Sequence, residues 1–154
     1  MLEGVKTEME NLPTGTQTAL SIVQGCLVVP LQADLYDDLL ERIRGDILHA
    51  VHSKTVKGVV FDMSAVRVMD TYVFNHLADT SRMTLFLGVS SVFIGFHPGV
   101  VSALVDLNIE TRSIRAYRTI EEAVAYFTVG ISPRKDREDD EEEFLSGEEN
   151  DAWK

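Results

Sequence analysis

Apolar residues in this chain fall into short blocks with two different periods. Residues 18–23 and 26–31 are runs rich in Ile, Val and Leu on either side of Gln24-Gly25, which predicts two strands joined by a tight turn. Pro30 has no backbone donor and belongs at a strand end, an edge or a bulge. Beyond Asp34, a candidate N-cap, Leu35, Leu39, Leu40, Ile43, Ile47, Leu48 and Val51 recur at three- and four-residue spacing with charged residues between them. That is the period of an amphipathic helix. Residues 57–63 then hold Gly58-Val59-Val60-Phe61-Asp62, a continuous apolar run ending in a carboxylate, the pattern of a strand buried on both faces.

Residues 64–69 connect to a second helix beginning at Asp70 or Thr71, expected to turn Val73, Phe74, Leu77, Met83 and Phe86 toward the core until Gly88 stops it. Residues 89–95 read as the next buried strand. His97-Pro98-Gly99 then puts proline in a first helical turn, and Val100, Val101, Leu104, Val105 and Leu107 continue that third helix. Asn108 stands where a left-handed C-terminal cap is expected. Residues 113–116 suit a brief edge strand, and Thr119-Ile120-Glu121-Glu122 is a capping box opening a last helix with Ala123, Val124, Tyr126 and Phe127. Alternating strands and helices after residue 57 imply βαβ crossovers, so the fold class expected is α/β with a mainly parallel sheet and helices packed on it.

Length sharpens this picture. A chain of 154 residues with 45% hydrophobic content supports one domain with a real core. Residues 1–16 show no clear period and read as a flexible arm, residues 17–130 as the domain, and residues 131–154 as a disordered acidic tail. No run approaches the roughly 18–20 apolar residues of a membrane span, and the polar start lacks a signal-peptide layout, so a cytoplasmic protein is expected. The net charge of -11 argues against nucleic acid and anionic lipid as partners. Residues 134–154 hold ten acidic and four basic residues, over half of that excess. Phe144, Leu145 and Trp153 are their large apolar anchors, which leaves two readings: a solubilising extension, or a segment that docks on a basic neighbour as it folds.

Candidate chemistry is sparse. Cys26, the single cysteine, lies in an apolar run and reads as a buried small hydrophobe, with no disulfide or zinc site to build. No phosphate-binding glycine loop, His-Glu-x-x-His, Gly-x-Ser-x-Gly or paired-cysteine motif occurs, so neither a metal nor a cofactor is expected and the enzyme reading is weak. His49 and His52 read as surface cations near a helix C-terminus. Asp62, at a buried strand's carboxyl end, is where α/β folds place functional groups, although a cap on the following turn is the simpler role. Asp70-Thr71-Tyr72 is the informative segment. A hydroxyl at a helix start sits beside unpaired N–H groups and the positive end of the dipole, which favours an added phosphate, while capping alone also accounts for Asp70 and Thr71.

Across residues 18–128 the chain resembles the STAS family, named for sulfate transporters and antagonists of anti-sigma factors. The resemblance is carried by Gly58-Val59-Val60-Phe61-Asp62-Met63-Ser64, by Val68-Met69-Asp70-Thr71, by Gly88 with Val92-Phe93-Ile94-Gly95 and Pro98, and by residues 104–109. It implies a STAS-like mixed, mainly parallel sheet of four to five strands with about four helices. Within the family the chain looks most like the short stressosome antagonist of the RsbS type. The family phosphorylation site maps onto Thr71, where that antagonist usually has Ser; Asn108 stands where relatives generally have Gly, and the acidic tail has no counterpart.

The resemblance implies a non-enzymatic antagonist that holds a switch serine/threonine kinase of the RsbT type and releases it once Thr71 is phosphorylated. It also implies RsbR-like STAS paralogues as partners in a large homo- or hetero-oligomeric assembly serving a general stress response. The expected partner face comprises the loop at 64–69 and the exposed side of the second helix, with Arg67, Asp70, Tyr72, Asn75 and Asp79 as contacts. The alternatives are a stand-alone anti-anti-sigma factor that binds an anti-sigma kinase and, remotely, a small α/β enzyme.

Overall fold

The computed structural model describes residues 18–130; the expected arm at 1–16 and tail at 131–154 lie outside the described residues. Five strands form one sheet in sequence order: β1 (Ser21–Val23), β2 (Cys26–Pro30), β3 (Gly58–Asp62), β4 (Ser91–Ile94) and β5 (Ala116–Tyr117). β1 and β2 pair antiparallel across Gln24 and Gly25, both at positive φ, the primed turn whose twist matches a hairpin. The other pairings are parallel, with Val28 beside Val60 and Val60 beside Val92. Pro30 ends β2, where a missing donor costs least.

Three helices make the crossovers: α1 (Asp37–Ser53), α2 (Thr71–Phe86) and α3 (Pro98–Asp106). Because each successive strand is added on the same side of the last, three right-handed crossovers place all three helices on one face. There Leu27, Val29, Val59, Phe61 and Phe93 of the sheet meet Leu40, Ile47, Phe74, Leu77, Val100 and Leu104 of the helices. Phe61 and Phe93 stack at 4.8 Å between centroids. The opposite face, with Val28, Val60, Val92 and Ile94, is covered by α4 (Ile120–Val129) through Ala123 and Val124. Gly58 permits this cover, since a Cβ there would run into the Phe127 ring. Half of the predicted capping box forms, Thr119 accepting from Glu122 N, while the Glu122 carboxylate reaches one residue further back and accepts from Arg118 N rather than from the cap residue's own amide.

Several expectations need correction. Asp34 is not the N-cap of α1: the helix starts at Asp37, and Tyr36 occupies the cap without a side-chain hydrogen bond. Asp37 and Asp38 in the first turn supply negative charge toward the dipole instead. Met83 and Phe86 do not face the core; Phe86 is 93% exposed. Thr80 and Thr84 take the inward positions, and their hydroxyls bond back to the carbonyls of His76 and Ser81, which removes most of the cost of burying them. The edge strand forms at Ala116–Tyr117 rather than 113–116, and β1 and β4 are shorter than their apolar runs. Asn108 does adopt positive φ at 51°, and Gly88 ends α2.

Candidate functional site

β3 ends at Asp62 on the carboxyl edge of the parallel strands, and its side chain organises the loop that follows. Asp62 Oδ1 accepts from Ser64 N at 3.0 Å and from the Ser64 hydroxyl, an Asx turn, so Asp62 takes the structural of its two roles. Gly95 lies against this turn at φ 72°, and a Cβ there would meet the Ser64 hydroxyl. Glycine is thus required twice over, for its dihedral and for its lack of a side chain. Val66 and Met69 are buried and pin the loop to the core, leaving Arg67 and Val68 exposed between them.

The loop delivers the chain to the start of α2 in a fixed pose. Asp70 is the N-cap, its Oδ1 accepting from Val73 N at 2.8 Å and its carbonyl from Phe74 N. Thr71, the first helical residue, is exposed, and its amide and that of Tyr72 are the two first-turn donors left without an intrahelical acceptor. Tyr72, Asn75 and Asp79 follow at three- and four-residue spacing and are all exposed, so every residue expected on the partner face lies on this loop or on one stripe of α2. Asp79 is paired with Arg82 one turn on.

Two neighbours of the site escaped the sequence pattern. A cleft of about 270 Å³ beside Asp70 is lined by Val68, Val73 and the β2–α1 loop residues Asp34, Leu35 and Tyr36. With α1 starting late, Asp34 is free to border this cleft, and Tyr36 and Val68 offer exposed apolar surface there. The helix start at residue 37, signalled only by the Asp37-Asp38 pair, was the sole clue. Behind Tyr72, the α1–α2 contact is polar: His76 Nε2 donates to Glu41 at 2.8 Å, and Arg44 reaches Thr80 Oγ1 at 3.2 Å and the His76 carbonyl at 3.4 Å. The bond from His76, more than the nearby Arg44 charge, holds the Glu41 carboxyl below its ordinary range. These contacts fix the rotation of α2, hence the direction its exposed stripe faces.

Burial raises the Cys26 thiol above its ordinary range, as suits a core position. Among the described residues, no group of three or more His, Cys, Asp or Glu side chains is gathered for a metal, and no helix is long and apolar enough to cross a membrane. His49 and His52 are exposed on the last turns of α1. Thr71 thus presents an exposed hydroxyl at a capped helix start, flanked by a shallow cleft of mixed polar and apolar lining and by a polar helical stripe.

Comparison with known proteins gives this surface a context. Residues 17–123 match the family model described as STAS domain. RsbT co-antagonist protein RsbRA of Bacillus subtilis is 22% identical over 105 residues, covering 68% of this chain and 38% of that protein. The chain thus spans about two fifths of the length of that relative. Among solved structures, a substituted RsbS of Moorella thermoacetica superposes with a TM-score of 0.63 at 24% identity, covering 71% of this chain and 96% of the other. The anti-sigma factor antagonist SpoIIAA in its unphosphorylated form gives 0.57 at 18% identity, covering 73% and 96%. At such identities these structures speak for the fold.

Proposed function

The chain belongs to the STAS-domain family, and from that premise we propose that it is a cytoplasmic, non-enzymatic antagonist that captures a switch serine/threonine kinase of the RsbT type and releases it when Thr71 is phosphorylated. In this reading it acts beside RsbR-like paralogues in a stressosome-type assembly. The observation that carries the proposal is the position of Thr71, exposed at the first residue of α2 next to the Asp70 cap. A phosphate there brings about -1.5 to -2 charge. The free amides of Thr71 and Tyr72 and the helix dipole favour that charge by about 0.3–1 kcal/mol, so the domain itself tolerates the modification. A kinase docked on Arg67, Tyr72, Asn75 and Asp79 instead meets a new double charge beside Asp70, near Asp34 of the adjoining cleft. The repulsion falls on the complex, as release requires.

The test is capture of an RsbT-type kinase by purified protein. Thr71→Asp is expected to weaken capture, while Thr71→Ala captures normally and is not released under phosphorylating conditions. If both variants behave as wild type, the switch is wrong. Sizing with an RsbR-type paralogue tests the assembly separately: failure to enter a large particle while kinase capture persists would leave a stand-alone antagonist.

A further inference from the structure

The strongest surface feature outside this site lies at the other end of α2. A cleft of about 270 Å³ opens between the C-terminal half of α2, the approach to β5 and the last turns of α4, lined by Arg82, Leu85, Ser113, Ile114, Arg115 and Tyr126 among others. Its character runs against the chain as a whole. The charged residues that line it are Arg82 and Arg115, with no acid among the lining, in a protein of net charge -11. The Arg115 guanidinium lies 4.5 Å from the centre of the Tyr126 ring, which holds its planar fork in place over the cleft. Arg82 contacts Asp79 yet is 56% exposed and keeps donors to spare. Apolar surface is present beside these cations, Leu85 being 61% exposed.

We propose that this cleft is the docking site of the chain's own acidic segment at residues 136–145. Seven of the first eight residues of that segment are Asp or Glu, and Phe144-Leu145 follow directly. Carboxylates followed by an aromatic and an aliphatic side chain complement arginines set beside Leu85, Ile114 and Tyr126. Chain geometry permits the contact. α4 ends in a left-handed cap at Gly130, four residues beyond Tyr126 in the cleft wall. Glu141 lies eleven residue steps beyond Gly130, enough to reach roughly 36–40 Å when extended. Tethering at this distance gives an effective concentration on the order of millimolar, so even a weak set of contacts is populated. Docking there covers arginines at the far end of α2 from Thr71 and sets which acidic or basic surfaces the domain offers its neighbours.

A nitroxide on Ser146→Cys in the full-length chain tests this, because Cys26 is fully buried and the new thiol alone reacts. The expected result is selective loss of amide signal at Leu85, Ser113, Ile114 and Tyr126, recovered at about 1 M salt, where screening shortens to about 3 Å, and recovered in the Arg82→Glu, Arg115→Glu double variant. Signal loss elsewhere, spread evenly, or insensitive to both salt and charge reversal would overturn the proposal. A sample mixing nitroxide-labelled, isotopically unlabelled chains with isotope-labelled chains lacking the nitroxide separates the sources: loss at the cleft in that mixture assigns the site to a second copy's segment and overturns the intramolecular assignment. Because wild-type surface residues and salt alone already decide the outcome, the test does not depend on the double variant folding.

Discussion

Asp70 is the residue on which the presentation of Thr71 depends, and its contribution divides into two parts that substitution can separate. Asp70→Ala removes the 2.8 Å bond to Val73 N, worth about 1 kcal/mol for an N-cap, and also the carboxylate at the positive helix end, worth about 0.3–1 kcal/mol. Asp70→Asn keeps an acceptor of the same reach and loses only the charge. The alanine variant should therefore fall by about 1.5–2 kcal/mol and the asparagine variant by no more than about 1. With a urea slope near 1.5 kcal/mol/M for a domain of this size, the midpoints drop by about 1–1.3 M and by at most about 0.7 M. Equilibrium unfolding in urea, with the slope unchanged between variants, reads both. An alanine midpoint equal to wild type, or an asparagine midpoint as low as alanine's, would refute the capping role and with it the argument that the first turn of α2 is held ready for a phosphate.

Two further outcomes probe the fold around the site. Phe74→Ala, at a position 2% exposed, should cost about 3–5 kcal/mol, while Phe86→Ser, at the exposed end of the same helix, should stay within about 0.5 kcal/mol of wild type; thermal unfolding distinguishes them, and comparable losses would mean that the end of α2 is packed against something. Glu41 carries a pH signature: with its folded-state pKa lowered by the bond from His76, the stability it adds is present above its ordinary value of 4.5 and is lost as pH falls through the lower, folded-state value. Glu41→Gln should therefore be less stable than wild type at neutral pH, and the gap in urea midpoints should close on acidification. A gap that persists well below pH 4.5 would locate the difference elsewhere.

How much of this was legible in the sequence depended on whether apolar character and burial coincided. Where they did, in the continuous runs of β2, β3 and β4 and the stripe of α1, both the element and its inward residues were recovered. On α2 they part company. Thr80 and Thr84 bury polar side chains by bonding back to their own helix, and Met83 and Phe86, apolar but on the opposite side of the 3.6-residue turn, are left outside. Hydrophobicity alone cannot rank a self-satisfied threonine above a phenylalanine. The start of α1 was misplaced for a related reason: Asp34 has the chemistry of a cap, but Leu35 packs toward the core and delays the helix to Asp37. That delay created the cleft beside Asp70, so the error at the helix boundary and the missed part of the site are one event. Asp70 and Thr71 were visible because capping is local and leaves its mark within four residues.

The one-sided crossovers carry a consequence for synthesis. Emerging from the ribosome in order, the chain can complete its sheet and the layer of α1, α2 and α3 while Val28, Val60, Val92 and Ile94 on the reverse side still have no cover, because α4 is translated after every strand. At synthesis rates of about 5–20 residues per second, the ten residues of α4 take about 0.5–2 seconds to add. For that interval the nascent domain presents a strip of β-branched side chains, which makes the reverse face of the sheet the natural point of contact for a chaperone and the place where a chain stalled before Ile120 would aggregate.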